Sequence, residues 1–176
     1  DNRLAIVYLE KSCHLNPSHL NSWFNLGVQY RATGEIDKAV HTFSICVTLD
    51  PNNKFAQNSP GEAFLQLQRF DEALVHLNKA ISLDSSYCGA WVNRATALLM
   101  TNNCDSALPT ALRAVGCNNE EPTAWQMLAT AKYVCSDDLL GADSAVNIAL
   151  RIRPGMTQAL RLRSDIAADR ARREKN

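Results

Sequence analysis

Apolar side chains along this chain recur at helical rather than strand spacing, in short runs separated by polar turns. Trp23, Leu26, Gly27 and Tyr30 form one run, and Ala39, Val40, Phe43, Cys46 and Val47 form the next. Gly34 breaks the chain between them, and Glu35 and Asp37 open the second run, where a helix dipole favours negative charge. Asp50-Pro51 ends it, because proline disfavours helix in the residue before it. The pattern predicts two amphipathic helices joined by a tight turn over residues 20–53.

That unit repeats. Ala39, Ala73 and Ala107 fall 34 residues apart, and Ala142 follows at 35. Cys46, Ala80, Ala114 and Ala149 make a second column of small residues, and Gly27, Gly61, Ala95 and Ala129 a third. Trp23 and Trp91 are 68 apart, with Trp125 another 34 on. Small residues belong where two helix axes approach closely, so the columns predict stacked helical hairpins. The register gives one domain over residues 1–176. It has a half repeat at 1–19, full copies at 20–53, 54–87, 88–121 and 122–156, and a C-terminal capping helix at 157–173. The last full copy gains one residue around Ser136 to Leu140, between its helices.

Two positions break the pattern. Pro60 stands where the column holds Leu26 and Leu128, and Gln57 replaces the tryptophan. An interior proline costs about 3 kcal/mol in a helix. Ser59-Pro60-Gly61-Glu62 reads as a capping box with proline at the first helical position, so this helix is expected to start near Pro60 and leave 52–59 as a loop. Arg94 occupies the same column one repeat later and must reach water or a partner, with Glu62 as the carboxylate on offer. Either the pair is local drift relieved by solvent, or it is a kink that shapes a ligand groove.

Trp23-x-x-Leu26-Gly27-x-x-Tyr30, followed by Ala39, Phe43 and Pro51, resembles the tetratricopeptide repeat, and the same register covers most of the chain. The resemblance implies an all-α, right-handed α-solenoid whose first helices line a concave groove that holds a peptide or helix. Residues 12–53 also resemble the tetratricopeptide family required for cell-wall maintenance in yeast, through Asn16-Pro17, Trp23-Phe24 and Cys46-Val47-Thr48-Leu49. On this reading the groove residues are Phe24, Asn25, Arg31, Asn93, Met127 and Tyr133. Asn25 and Asn93 share one repeat position with Ser59 between them, a partial ladder of the kind that grips a peptide backbone in similar glycosyltransferase and peroxisomal-receptor arrays.

The resemblance also excludes a partner. Arrays that clamp a chaperone's C-terminal carboxylate use lysine, asparagine and arginine at set groove positions. Here those positions hold Phe24 and Val28, or Asn58 and Glu62, then Gly89 and Asn93, or Thr123 and Met127. A chaperone tail is therefore not the expected ligand.

Composition narrows the classes further. The 176 residues are 46% hydrophobic and 20% charged, with no apolar run of membrane-spanning length, so no membrane partner is expected. No phosphate loop, nucleophile elbow or H-E-x-x-H occurs, so neither an enzyme nor a cofactor or metal site is expected. Cys13, Cys46, Cys88, Cys104, Cys117 and Cys135 form no C-x-x-C pair and read as semi-buried thiols of a reducing compartment, cytoplasmic or nuclear. The formal charge is zero, but residues 1–150 carry −5 and residues 151–176 carry +5. Arg161, Arg163, Arg170, Arg172 and Arg173 make that end a candidate contact for an acidic protein or a nucleic acid. Two alternatives therefore stand beside an interaction scaffold. One is an assembly or ribonucleoprotein component using the basic end, and the other is the substrate-recruiting array of a larger enzyme such as a glycosyltransferase. The chain opens at Asp1 inside an amphipathic pattern and is read as a piece of a longer protein.

Overall fold

The computed structural model describes residues 2–175. Among the described residues, all regular structure is helical. The helices are α1 (Asn2–Leu15), α2 (Leu20–Ala32), α3 (Ile36–Leu49), α4 (Lys54–Gln66) and α5 (Phe70–Leu83). There follow α6 (Cys88–Met100), α7 (Cys104–Cys117), α8 (Pro122–Cys135), α9 (Leu139–Ile152) and α10 (Thr157–Arg173). The architecture is an all-α solenoid of helix–turn–helix units. Its contacts divide it into two compact units, residues 1–90 and 91–176.

In the first unit each helix packs on the next from α1 to α5. Ile6, Cys13, Leu26, Tyr30, Ala39 and Phe43 form its main core, with Phe64, Ala73 and Leu77 beyond. In the second, α7 to α10 pack in succession around Leu128, Ala142, Val146, Leu150 and Ile166. The small-residue columns mark the tightest contacts. Ala39, Cys46, Ala73, Ala80, Ala107, Ala114, Ala142 and Ala149 are all fully buried. A Cβ on Gly27 would come within 2.5 Å of Phe43 Cε1, and one on Gly61 within 2.8 Å of Leu77. In both repeats glycine makes room for a large side chain of the second helix.

The turns inside the hairpins share one conformation. Gly34, Gln68, Asn102 and Asp137 all take positive φ, at 82°, 58°, 55° and 54°. They recur at steps of 34, 34 and 35, so the inserted residue has been absorbed before the turn residue of the last hairpin. Only the first of these turns uses the residue that adopts this conformation without steric cost.

The late helix start is corrected. α4 begins at Lys54, and Asn53 caps it by accepting from the backbone N–H groups of Phe55 and Ala56 through its side-chain oxygen. Pro60 therefore lies inside α4, fully buried, and residues 54–59 are helix rather than loop. An asparagine cap and the burial of Ala56, Ala63 and Phe64 on one face outweigh the lost hydrogen bond.

Candidate binding surfaces

The residues expected in a groove lie on the first helices of the hairpins, and each unit arranges its own. On α2, Phe24 is half-buried against Phe43, with ring centroids 5.9 Å apart, whereas Asn25 is exposed. Arg31, at the far end of α2, forms an ion pair with Glu62 of α4. Asn58, itself buried, donates to the same carboxylate at 2.8 Å. Burial holds the Arg31 guanidinium below its ordinary pKa. Its charge is thus spent on joining α2 to α4. At the other end of these helices, a recess of about 200 Å³ opens between Leu20, Asn21, Phe24, Phe55 and Ala56. Phe55 is 48% exposed there and meets Tyr87 edge-on at 5.2 Å. The Lys54 ammonium lies 5.1 Å from the Phe55 ring and pairs with Asp84, whose carboxyl is held down to about 2 by that lysine and then by Ser86.

In the second unit, Met127 accepts from the Thr96 hydroxyl at 3.3 Å through its sulfur, and Asn93 is half-buried. Arg94 is half-buried as well. It donates to the Thr110 hydroxyl at 2.6 Å and sets its guanidinium 5.9 Å from the Trp91 ring. The Tyr133 hydroxyl donates to Asp169 at 2.5 Å, which ties α8 to α10 and raises the Tyr133 pKa.

The C-terminal arginines divide into two groups. Arg170 pairs with Asp143 at 3.3 Å, Arg172 with Asp169 at 2.7 Å, and Arg173 with Asp137. Two of these pairs pin α10 to α9 and to the turn before it. Arg161 and Arg163 are exposed on α10 and carry the cationic charge that these pairs leave.

Two features escaped the sequence pattern. The first is a recess of about 670 Å³ bounded by α1, α2 and α3. Trp23, Leu26 and Tyr30 line it from α2, Glu10, Cys13 and His14 from α1, and Asp37, Lys38, His41 and Thr42 from α3. The Tyr30 hydroxyl donates to Glu10 at 2.5 Å, and burial with that contact pushes its pKa up to about 12. A signal was present in Leu26 and Thr42, which stand in the columns of Arg94 and His76, but no single position in the repeat advertises a hollow.

The second is a correction to the cysteines. Cys13 and Cys46 are buried thiols, as expected. Cys104 and Cys135, however, are joined by a disulfide with their Cα atoms 5.1 Å apart, and Cys88 and Cys117 are disulfide-bonded too. Because α7 and α8 run antiparallel, the first residue of one lies beside the last of the other. A spacing of 31 residues does not look like a pair until α8 has folded back along α7 of the preceding hairpin. The inference of a reducing compartment loses its premise for these four cysteines. Among the described residues, no group of three potential metal ligands occurs, and no helix is long and apolar enough to cross a membrane.

Comparison with known proteins places these features in a wider set. Residues 8–41 and 61–87 each match a family model described as tetratricopeptide repeat. Anaphase-promoting complex subunit 3 of Schizosaccharomyces pombe is 29% identical over 98 residues, which is 56% of this chain and 15% of that protein. The chain thus spans a small part of that relative's length. Among solved structures, the type IV pilus biogenesis factor PilW superposes with a TM-score of 0.84 at 21% identity, covering 96% of this chain and 78% of that one. YrrB, described as a tetratricopeptide-repeat protein with an unusual peptide-binding site, superposes with a TM-score of 0.73 at 20% identity, covering 95% and 86%.

Proposed function

The chain is a tetratricopeptide-repeat protein, and from that premise we propose that it is an interaction scaffold whose first helices hold a peptide or helix of another protein. One observation supports this most directly. At the small recess of α2 and α4, Phe55 is 48% exposed and Asn21 is open to solvent, with the exposed Asn25 one helical turn further along α2, while Lys54 and, at the far end of α2, Arg31 are already paired. An exposed aromatic ring and a row of exposed amides that both donate and accept suit an extended backbone carrying an apolar side chain. YrrB, similar in fold, is described as having a peptide-binding site.

The experiment is to pan a displayed peptide library against the whole chain and measure affinities of the enriched peptides. Asn25→Ala and Phe55→Ala alter exposed side chains and leave the core intact. At least a tenfold loss of affinity in each is expected. Enriched peptides that bind both variants as tightly as the unaltered chain would remove this face from consideration.

A further inference from the structure

The recess of α1, α2 and α3 can be read against its own copies. The lining positions Trp23, Leu26, Tyr30 and Thr42 fall in columns that continue as Gln57, Pro60, Phe64 and His76, then as Trp91, Arg94, Leu98 and Thr110. In the second copy the His76 ring lies over Phe64, with centroids 5.7 Å apart and planes 19° apart. Its Nδ1 is 3.2 Å from Gln57 Oε1. Arg69 sets its guanidinium 4.7 Å from the other ring, Phe64. In the third copy Arg94 supplies the planar group. Its Nη1 donates to Thr110 Oγ1, and it shares the Trp91 ring with Arg113, which lies 5.5 Å from it. Each of these repeats thus brings planar nitrogen-bearing side chains of its own against an aromatic ring.

In the first copy the Lys38 ammonium lies 5.2 Å from the Tyr30 ring, and His14 and His41 are among the lining side chains, but the columns of Arg94 and His76 hold no planar group. Leu26 stands in the column of Arg94, and Thr42 in that of His76. Thr42 Oγ1 donates to the Lys38 carbonyl at 2.7 Å, just as Thr110 Oγ1 donates to the Ser106 carbonyl at 2.6 Å. Both hydroxyl oxygens therefore keep acceptor capacity, and at Thr110 a guanidinium uses it. Trp23 offers the same ring as Trp91, held in place by its own donation to the Pro17 carbonyl at 2.8 Å. The charges agree. Glu10 and Asp37 line the recess, and Lys38, its one lysine, is paired with Glu35 at 2.6 Å. A hollow of 670 Å³ is of a size that takes a side chain together with its flanking backbone.

We propose that this recess is a second binding site, which takes an arginine side chain from an extended segment of a partner protein. The guanidinium lies over Trp23, donates to Thr42 Oγ1 and faces the carboxylates of Glu10 and Asp37. Arginine suits the site better than lysine because its plane stacks on the indole while its fork reaches hydroxyl and carboxylate together. The site is separate from the face of α2 and α4, so either can fail without the other.

The test uses three capped pentapeptides, Ala-Ala-Xaa-Ala-Ala with arginine, lysine or citrulline at the centre, titrated into the whole chain by NMR. The arginine peptide is expected to shift the Trp23 indole N–H and the Thr42 amide saturably, at least tenfold more tightly than the lysine or citrulline peptide. Thr42→Val, which keeps the shape and removes the acceptor, should weaken it about tenfold. Asp37→Asn, at an exposed position, should weaken it severalfold and serves if Thr42→Val does not fold. Equal binding of the citrulline peptide, no saturable shift at millimolar concentration, or shifts confined to Phe55 and its neighbours would each overturn the proposal.

Discussion

Gln57 donates through Nε2 to the carbonyl oxygen of Pro51, six residues back, at 2.9 Å. Trp23 makes the same bond to Pro17 at 2.8 Å, and Trp125 to Asn119 at 2.7 Å. The column that loses its tryptophan at Gln57 therefore keeps its hydrogen bond, which ties the first helix to the turn before it. Gln57 also meets His76 and is only 5% exposed. Gln57→Ala removes both contacts and leaves a gap beside the imidazole. A loss of about 1–2 kcal/mol is expected, read as a lower urea midpoint with an unchanged slope.

Position 68 offers the opposite effect. Gln68 has φ of 58° in the turn where the first hairpin uses Gly34. A side chain in the left-handed region costs about 1–2 kcal/mol, part of which glycine returns through its freer unfolded chain. Gln68 is exposed, so Gln68→Gly forfeits little packing. Stabilisation of about 0.5–1 kcal/mol is expected, measured by urea unfolding, whereas Gly34→Gln should lose a similar amount.

These turns show why part of the molecule was legible beforehand. Columns such as Ala39 and Ala73 record close helix contacts directly, because any larger residue would separate the axes. At Pro60 the local capping signals, Ser59 and Glu62 on either side of it, carry no trace of the tertiary burial of Ala56 and Phe64. Packing overrode propensity there. The recess over Trp23 and Tyr30 was invisible for a different reason. It arises from what Leu26 and Thr42 fail to fill, and that shows only when the equivalent residues Arg94 and His76 are seen in place.

The Cys104–Cys135 bridge joins the start of α7 to the end of α8 across 31 residues. Closing a loop of that length removes unfolded-state entropy equivalent to about 3–4 kcal/mol. Cys104→Ser/Cys135→Ser is expected to lower stability by up to that amount. Native mass spectrometry before and after reduction checks the bridge itself, and thermal unfolding of the oxidised double variant against the unaltered protein checks its contribution. Equal melting temperatures would mean that the bridge constrains nothing the packing of α8 on α7 does not already hold.

His76 gives the fold a pH dependence whose sign follows from its surroundings. Burial lowers its pKa from the ordinary 6.5, and the nearby Glu72 opposes that shift without cancelling it. Phe64 stacks on the ring, and Gln57 bonds to it. Between the depressed folded value and 6.5, the unfolded chain binds a proton that the folded chain declines. The contribution of His76 is therefore fully present above pH 6.5 and is lost as pH falls through the folded value. Unfolding midpoints measured from pH 8 down to pH 5 should fall more steeply for the unaltered chain than for His76→Asn. A His76→Asn profile as steep as the original would show that the acid sensitivity arises elsewhere.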